Sequence, residues 1–437
     1  MPIVRTPWYY GWTIVAVAIT YQAIVYGVAL YSFTFWVPLW EDEFAAGRGD
    51  VMLVFIAMQA GLAVLAPFAG KAADSLPLRW LVLAGGICFA MSLILTSYAQ
   101  ELWQIGVIFA VLTVAGLVLA GPVTAMTLVA RWFNRNSGMA LGIVSTGTSI
   151  GGLLLPLLVV YLQAEFGWRE ANLWLAGLVM LVIVPASLLI YGSPAEAGVA
   201  ADDAVDPVSD ATDLSDLQRD VSTGPQEWTF RSILMRPTFW AMMFCFIVVT
   251  AIFVAIQQNL APLAKDNGVS AAAVSFVVAV MAFVMIAAKL LFGFFADRVE
   301  LRTLYLISII ALVAVLLLLT AREATYPVLI VTGVLVGIAG GSLLPLMAAM
   351  IRRDFGALSF GRVKGLSSGL VSLSAIGPWI AGSIFDATGS YDMAWLVLGA
   401  LLVPAFFISS GLSGKRSVHP EQPSTGTQNT TRDVTSS

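Results

Sequence analysis

The sequence predicts an all-α membrane protein: twelve transmembrane helices in two pseudo-symmetric halves of six. Three observations carry that prediction. Of 437 residues, 59% are hydrophobic and only 11% are charged, with a mean hydropathy of +0.90. A soluble domain carries about 25% charged residues, so most of this chain must face lipid or other apolar helices. The apolar residues fall in runs of about 20, long enough as helices to cross a hydrocarbon core of about 30 Å. The runs are continuous rather than alternating, which disfavours barrel strands. Finally, Gly70, Asp74 and Arg79 recur as Gly293, Asp297 and Arg302, and Pro122 and Gly142 recur as Pro345 and Gly365, each 223 residues later. One constant shift across five positions marks two similar halves in tandem. Duplicated apolar halves joined by a polar segment are how many transporters build a site between two moving bodies.

The twelve runs are 12–39, 51–70, 80–98, 103–130, 138–163, 170–191, 237–260, 271–296, 303–320, 326–350, 363–385 and 392–411. The first is too long for a secretory signal and lacks a small-residue cleavage region, so it reads as a retained span. The second and eighth end in the two copies of the Gly-x-x-x-Asp…Arg turn. The fourth and tenth run into Arg131 and into Arg352-Arg353. The fifth carries Gly142, Gly147, Gly151 and Gly152, and the eleventh carries Gly377, Pro378 and Gly382, which suit close packing and bending. Between the sixth and seventh lies 192–236, with nine acidic residues against three arginines and few aromatics. It cannot bury enough apolar area to offset ordering entropy and should be mobile. The expected domains are a six-helix bundle over 1–191, an acidic cytoplasmic linker over 192–236, a second bundle over 237–411 and a disordered cytoplasmic tail over 412–437.

Charge sets the orientation. With the N-terminus in the cytoplasm, only Arg48, Arg169, Lys265 and Arg322 lie outside, Lys289 lies within a span, and all other Lys and Arg are inside. The positive-inside rule selects N-in, C-in. Cys88 and Cys245 both fall in apolar segments, so no disulfide framework or metal site is expected. The single histidine, His419, sits in the polar tail. No Gly-x-x-x-x-Gly-Lys loop, Ser–His pair or carboxylate pair is evident, so neither a cofactor nor an enzyme is expected. A net charge of −4, mostly from the linker, implies no nucleic-acid partner.

Lys289 is the sharpest single residue. An ammonium near the middle of a lone helix costs about 3 kcal/mol, so it should face protein or water. Ser275, Ala279, Ala282, Ile286, Lys289, Gly293 and Ala296 share one stripe of mostly small residues. Phe276, Phe283, Phe294 and Phe295 fall largely elsewhere, so the stripe is a packing face. No Asp or Glu falls inside any apolar core, and an unpaired buried cation favours an anionic ligand over a cationic one. Snorkelling is the alternative, since Lys289 lies about 10 Å from the inner end of its run. Tyr26, Tyr31 and Gln59 suit hydrogen bonds to a substrate carboxylate or between helices. Asn259, beside Gln257 and Gln258 at the outer end of the seventh run, suits a site or an outer gate. Asp74, Arg79, Asp297, Arg131 and Arg353 are the inner-gate candidates, with headgroup anchoring as the alternative for the arginines.

The paired turns resemble the loop pattern of the major facilitator superfamily, with Pro77 replacing a glycine in the first copy and a degraded second copy. Trp132-Phe133-Asn134-Arg135 followed by Met139-Ala140, Gly142 and Gly147 resembles the helix-5 signature of the monocarboxylate transporter family. Tyr10-Gly11-Trp12 and Tyr31-Ser32-Phe33-Thr34-Phe35 resemble its first helix. Lys289 falls where that family carries a carboxylate-binding arginine. The family's aspartate four residues earlier is Met285 here, and its helix-1 lysine is Phe35, which puts the usual proton relay in doubt. Bacterial relatives of the oxalate–formate antiporter kind are similar, but a second cation is not evident between Gly365 and Asp386. The drug-antiporter glycine–proline element would need proline at Thr148. The resemblance implies a monomeric secondary transporter of a bacterial inner (plasma) membrane, in contact with the lipid bilayer. Its expected cargo is a small organic anion, monocarboxylate-like, moved by alternating access with a proton or counter-anion. Efflux of neutral or amphipathic compounds and a non-transporting carboxylate sensor are the other readings.

Overall fold

The computed structural model describes residues 8–133, 137–199, 229–296, 298–356 and 360–411. The tail over 412–437, Asp297 and most of the predicted linker lie outside them. Among the described residues, eleven helices are long and apolar enough to cross a membrane. One of them, Met139–Leu188, holds two passes. Its helix Gly147–Leu188 would be about 63 Å long if straight, twice the hydrocarbon thickness. Gly167 breaks it at φ 77°, a left-handed value that glycine adopts without a Cβ penalty, and the chain reverses there. With that stretch taken as two spans divided at Gly167, the helices are numbered one to twelve below, in chain order.

Several spans are interrupted, three of them by a π- or 3₁₀-turn. The first runs as Gly11–Tyr26, a π-turn Gly27–Tyr31, and Phe33–Phe44. Ser32 Oγ satisfies the carbonyl of Gly27 at the turn, 2.8 Å away. The fourth span carries a second π-turn at Phe109–Thr113. The eleventh, Phe360–Val371 then Ile376–Thr388, is joined by a 3₁₀ turn at Ser372–Ala375, just before Pro378. Such local turns absorb a proline or rotate the next side chains to a new face.

Between apolar helices in lipid, close backbone approach replaces the hydrophobic effect as the source of association. Spans one and five meet this way. A Cβ on Gly151 would collide with the Ala23 carbonyl, and one on Gly27 would sit 2.7 Å from the Gly151 carbonyl oxygen. Spans eight (Ala271–Phe295) and ten (Tyr326–Phe355) form a longer zipper, with Gly333, Gly337 and Gly341 one turn apart against Val277, Met281 and Met285. Gly151→Ala should therefore overpack the first interface and cost about 1–3 kcal/mol, seen as a lower thermal unfolding midpoint in detergent. Gly177→Ala, whose Cβ would meet nothing within 4 Å, should leave that midpoint unchanged or slightly raised.

The predicted packing stripe of span eight is buried at Ser275, Ala279, Ala282 and Lys289, while Phe276, Phe283, Phe294 and Phe295 are exposed towards lipid. A groove of about 540 Å³ lies between the ninth and twelfth spans, lined by Leu317, Trp395, Leu396 and Phe406 among others. Thr320 is its one polar lining residue.

Candidate functional site

Lys289 is 9% exposed, and its ammonium reaches across the seam between the halves. It donates to Ser149 Oγ at 2.7 Å and to Thr148 Oγ1 at 3.3 Å, both on span five. Tyr31, placed by the π-turn of span one, brings its hydroxyl within 3.5 Å of Ser149 Oγ and 3.7 Å of Met285 Sδ. Four elements of chemistry thus converge: one cation, two aliphatic hydroxyls, a phenol and a thioether. Among the described residues Lys289 has no acidic partner. A buried ammonium held only by neutral oxygens keeps most of its charge unopposed and attracts an anion strongly.

The other predicted residues are scattered. Tyr26 packs beside Gly121 of span four. Gln59 leaves its Oε1 buried without a hydrogen-bond partner. Asn259 is fully buried at the end of span seven, donating to the carbonyls of Ala255 and Pro378 and accepting from the Tyr391 hydroxyl at 3.1 Å. It therefore joins a different cluster from Lys289. Of the inner-gate candidates, Arg131 donates to the Ala73 carbonyl at 2.7 Å, in its own half. Arg353 pairs with its neighbour Asp354 at 2.6 Å, and Arg79 lies over the ring of Trp80. The side chain of Asp74 lies outside the described residues, as Asp297 does. The aromatic signature residues brace the Arg131 face. Trp132 packs on Tyr9 and Tyr10, and its Nε1–H donates to the Tyr191 carbonyl at 2.9 Å.

At the opposite face a charged knot joins the halves. Arg48 begins span two (Arg48–Ser75), yet it is only 6% exposed. Its guanidinium binds Asp266 through both oxygens, at 2.6 and 2.7 Å, and Glu41 at 2.8 Å. It also donates to the Tyr391 hydroxyl and lies 3.7 Å from the Phe385 ring centre. Such stacking suits the planar, weakly hydrated guanidinium. Asp386, from the end of span eleven, accepts the backbone N–H groups of Arg48 and Gly49 at 2.9 and 2.8 Å, capping the other half's helix in trans. Lys265 pairs with Asp42 at 2.8 Å, and Ala261 N–H donates to Thr34 Oγ1. Within the first half, the Arg169 hydrogen bond holds the Glu43 carboxyl below its ordinary range.

Sequence reading placed Arg48 and Lys265 in outer loops and missed this knot, whose partners are far apart in the chain. A signal was available. Lys265 follows Asp42 by 223 residues, the repeat offset, so the two are pseudo-equivalent positions of the halves.

Comparison with known proteins agrees with the fold. Rat monocarboxylate transporter 12 is 25% identical over 95% of this chain and 88% of its own length. Human monocarboxylate transporter 2 is 26% identical over 75% and 70% respectively. A bacterial homolog of the human lysosomal transporter Spinster, solved inward-facing and occupied, superposes with a TM-score of 0.69 at 16% identity, covering 94% of this chain and 98% of that one. The Major Facilitator Superfamily family model matches residues 17–263 and 258–435. With twelve spans in two repeated halves and that match over nearly the whole chain, this multi-pass membrane protein belongs to the Major Facilitator Superfamily of transporters.

Proposed function

We propose that the chain carries a small organic monoanion of the monocarboxylate kind across a bacterial inner membrane, by alternating access of its two halves. The observation that carries this reading is the Lys289 ammonium, buried at the seam with only hydroxyl oxygens for partners. A carboxylate arriving there supplies the opposite charge that the hydroxyl partners lack, in a buried site where the attraction is weakly screened. Ser149, Thr148 and Tyr31 can then turn their O–H groups toward the ligand and saturate its remaining lone pairs. That these relatives are monocarboxylate transporters supports a monocarboxylate, and a single cation in the group suits one negative charge. Positive-inside counting puts both termini in the cytoplasm, which makes the Arg48 face external. A proton or a counter-anion provides the coupling.

A thermal-shift screen of small carboxylates on purified protein tests the reading. A bound ligand at 100 times its Kd adds about 2.7 kcal/mol of stability, a readily measured rise in unfolding midpoint. A lactate-like anion should stabilise the wild type and leave Lys289→Ala unmoved. Stabilisation by neutral or cationic compounds only, equal in both proteins, would falsify the anion assignment. Flux of the stabilising anion into proteoliposomes separates a carrier from a sensor, which binds without moving its ligand.

A further inference from the structure

We propose that the Arg48 knot is a proton-linked latch: joining the halves at this face takes up one proton at Glu41, and parting them releases it. Arg48 and Glu41 belong to the first half, whereas Asp266 and Tyr391 belong to the second. Parted halves leave Arg48 and Glu41 as a one-to-one pair and return Asp266 to water. Joined halves oblige two carboxylates to share one guanidinium, with the Arg48 and Glu41 side chains only 7% and 13% exposed and Asp266 32% exposed. A surplus negative charge is costly on the buried Glu41 side, and a proton there removes it.

The neighbouring cations each have a carboxylate of their own to serve. Lys265 is engaged by Asp42, and Arg169 by Glu43 together with the carbonyls of Ser97 and Ala99. Asp386 adds a further negative charge, turned to the backbone of Arg48 and Gly49. Tyr391 donates its hydroxyl proton to Asn259 and accepts from Arg48, so it offers Glu41 nothing. Burial pushes the Glu41 carboxyl above its ordinary range, outweighing the downward pull of Arg48 and of Lys265, while Asp266 raises it further.

The sign follows from linkage. A carboxyl whose pKa is higher in the joined state binds its proton more tightly there, so acid favours joining and alkali favours parting. Between the two pKa values, one linked proton changes the joined-to-parted ratio by up to about tenfold per pH unit. The latch does not depend on which ligand Lys289 binds, and its test uses no ligand.

Spin labels at Gln100→Cys and Glu323→Cys report the seam at this face, in a chain also carrying Cys88→Ser and Cys245→Ser. Residue 100 neighbours Ala99, held by Arg169, and residue 323 neighbours Ala324, held by Asn267. Electron–electron distance measurements in nanodiscs from pH 8 to pH 5 should show the short-distance population rising severalfold as pH falls. Glu41→Gln should hold that population high and flat across the range. Asp266→Asn removes the other carboxylate of the pair and should also flatten the profile, which guards against a poorly folded Glu41 variant. A wild-type distribution that ignores pH, or wild-type pH dependence retained in either variant, overturns the latch.

Discussion

Alanine at position 289 is expected to reduce carboxylate uptake by proteoliposomes at least about thirtyfold while the protein stays folded. Truncating one partner of a buried, hydrogen-bonded charge pair costs about 2–5 kcal/mol, and each 1.4 kcal/mol is tenfold in binding. The loss should appear when uptake is measured below saturation, with the unfolding midpoint in detergent as the control for folding. Removing Lys289 deletes only two hydrogen bonds, to Ser149 and Thr148, and relieves a buried charge, so the empty protein should not be destabilised. Two companions sharpen the result. Lys289→Arg keeps the charge but brings a wider planar fork against Ser149, so partial uptake is expected. Ser149→Ala keeps the cation and loses one hydroxyl, worth about 1 kcal/mol and a several-fold fall. Uptake at the wild-type rate by Lys289→Ala would remove the anchor and leave the carrier without an assigned cargo.

The parts of this protein legible in sequence are those set by local pattern. The span order follows from apolar runs, because a helix in lipid must be long, continuous and apolar whatever surrounds it. The ends were less legible. The first run was expected to stop at 39, yet helix continues to Phe44. The acidic residues Glu41, Asp42 and Glu43 lie beyond that expected end, and each is met by a cation: Arg48, Lys265 and Arg169 respectively. Lys289 was legible because an ammonium in a small-residue stripe has few places to go. Its nearest partner, Ser149, was not, since a serine in a glycine-rich helix resembles every other small packing residue. Likewise Asn259 reads as a possible substrate contact, and its amide joins helices within the second half by binding the Pro378 carbonyl and the Tyr391 hydroxyl. Amide side chains look alike in sequence whether they face a ligand or a neighbouring helix. The repeat offset held more information than was used. Positions related by 223 residues near the pseudo-two-fold axis come together, as Asp42 and Lys265 do.

The second large effect is expected at Arg48. Methionine there keeps some of the packing on Phe385 but leaves Glu41 and Asp266 facing each other across the seam without their shared cation. Removing one partner from a buried ionic group costs about 3–5 kcal/mol because the other charge stays behind. Little of that cost need fall on the separate halves, since parting them lets both carboxylates hydrate. It falls on the joined arrangement, so Arg48→Met should move the halves apart at this face by a factor of a few hundred or more. Two variants apportion the effect. Asp266→Asn in the Arg48→Met background removes one stranded charge and should recover part of the joined population, giving a coupling energy of about 1–3 kcal/mol in a double-mutant cycle. Asp386→Asn should act separately and more weakly, since it loses charge but can still accept from the N–H groups of Arg48 and Gly49. Accessibility of a cysteine placed at the seam to a membrane-impermeant thiol reagent measures the wild type, Arg48→Met, Asp266→Asn, their double variant and Asp386→Asn. If Arg48→Met remains as closed to the reagent as the wild type, the apolar contacts of the seam hold it shut and the knot is dispensable. If it opens, the same guanidinium both joins the halves and sets their response to protons.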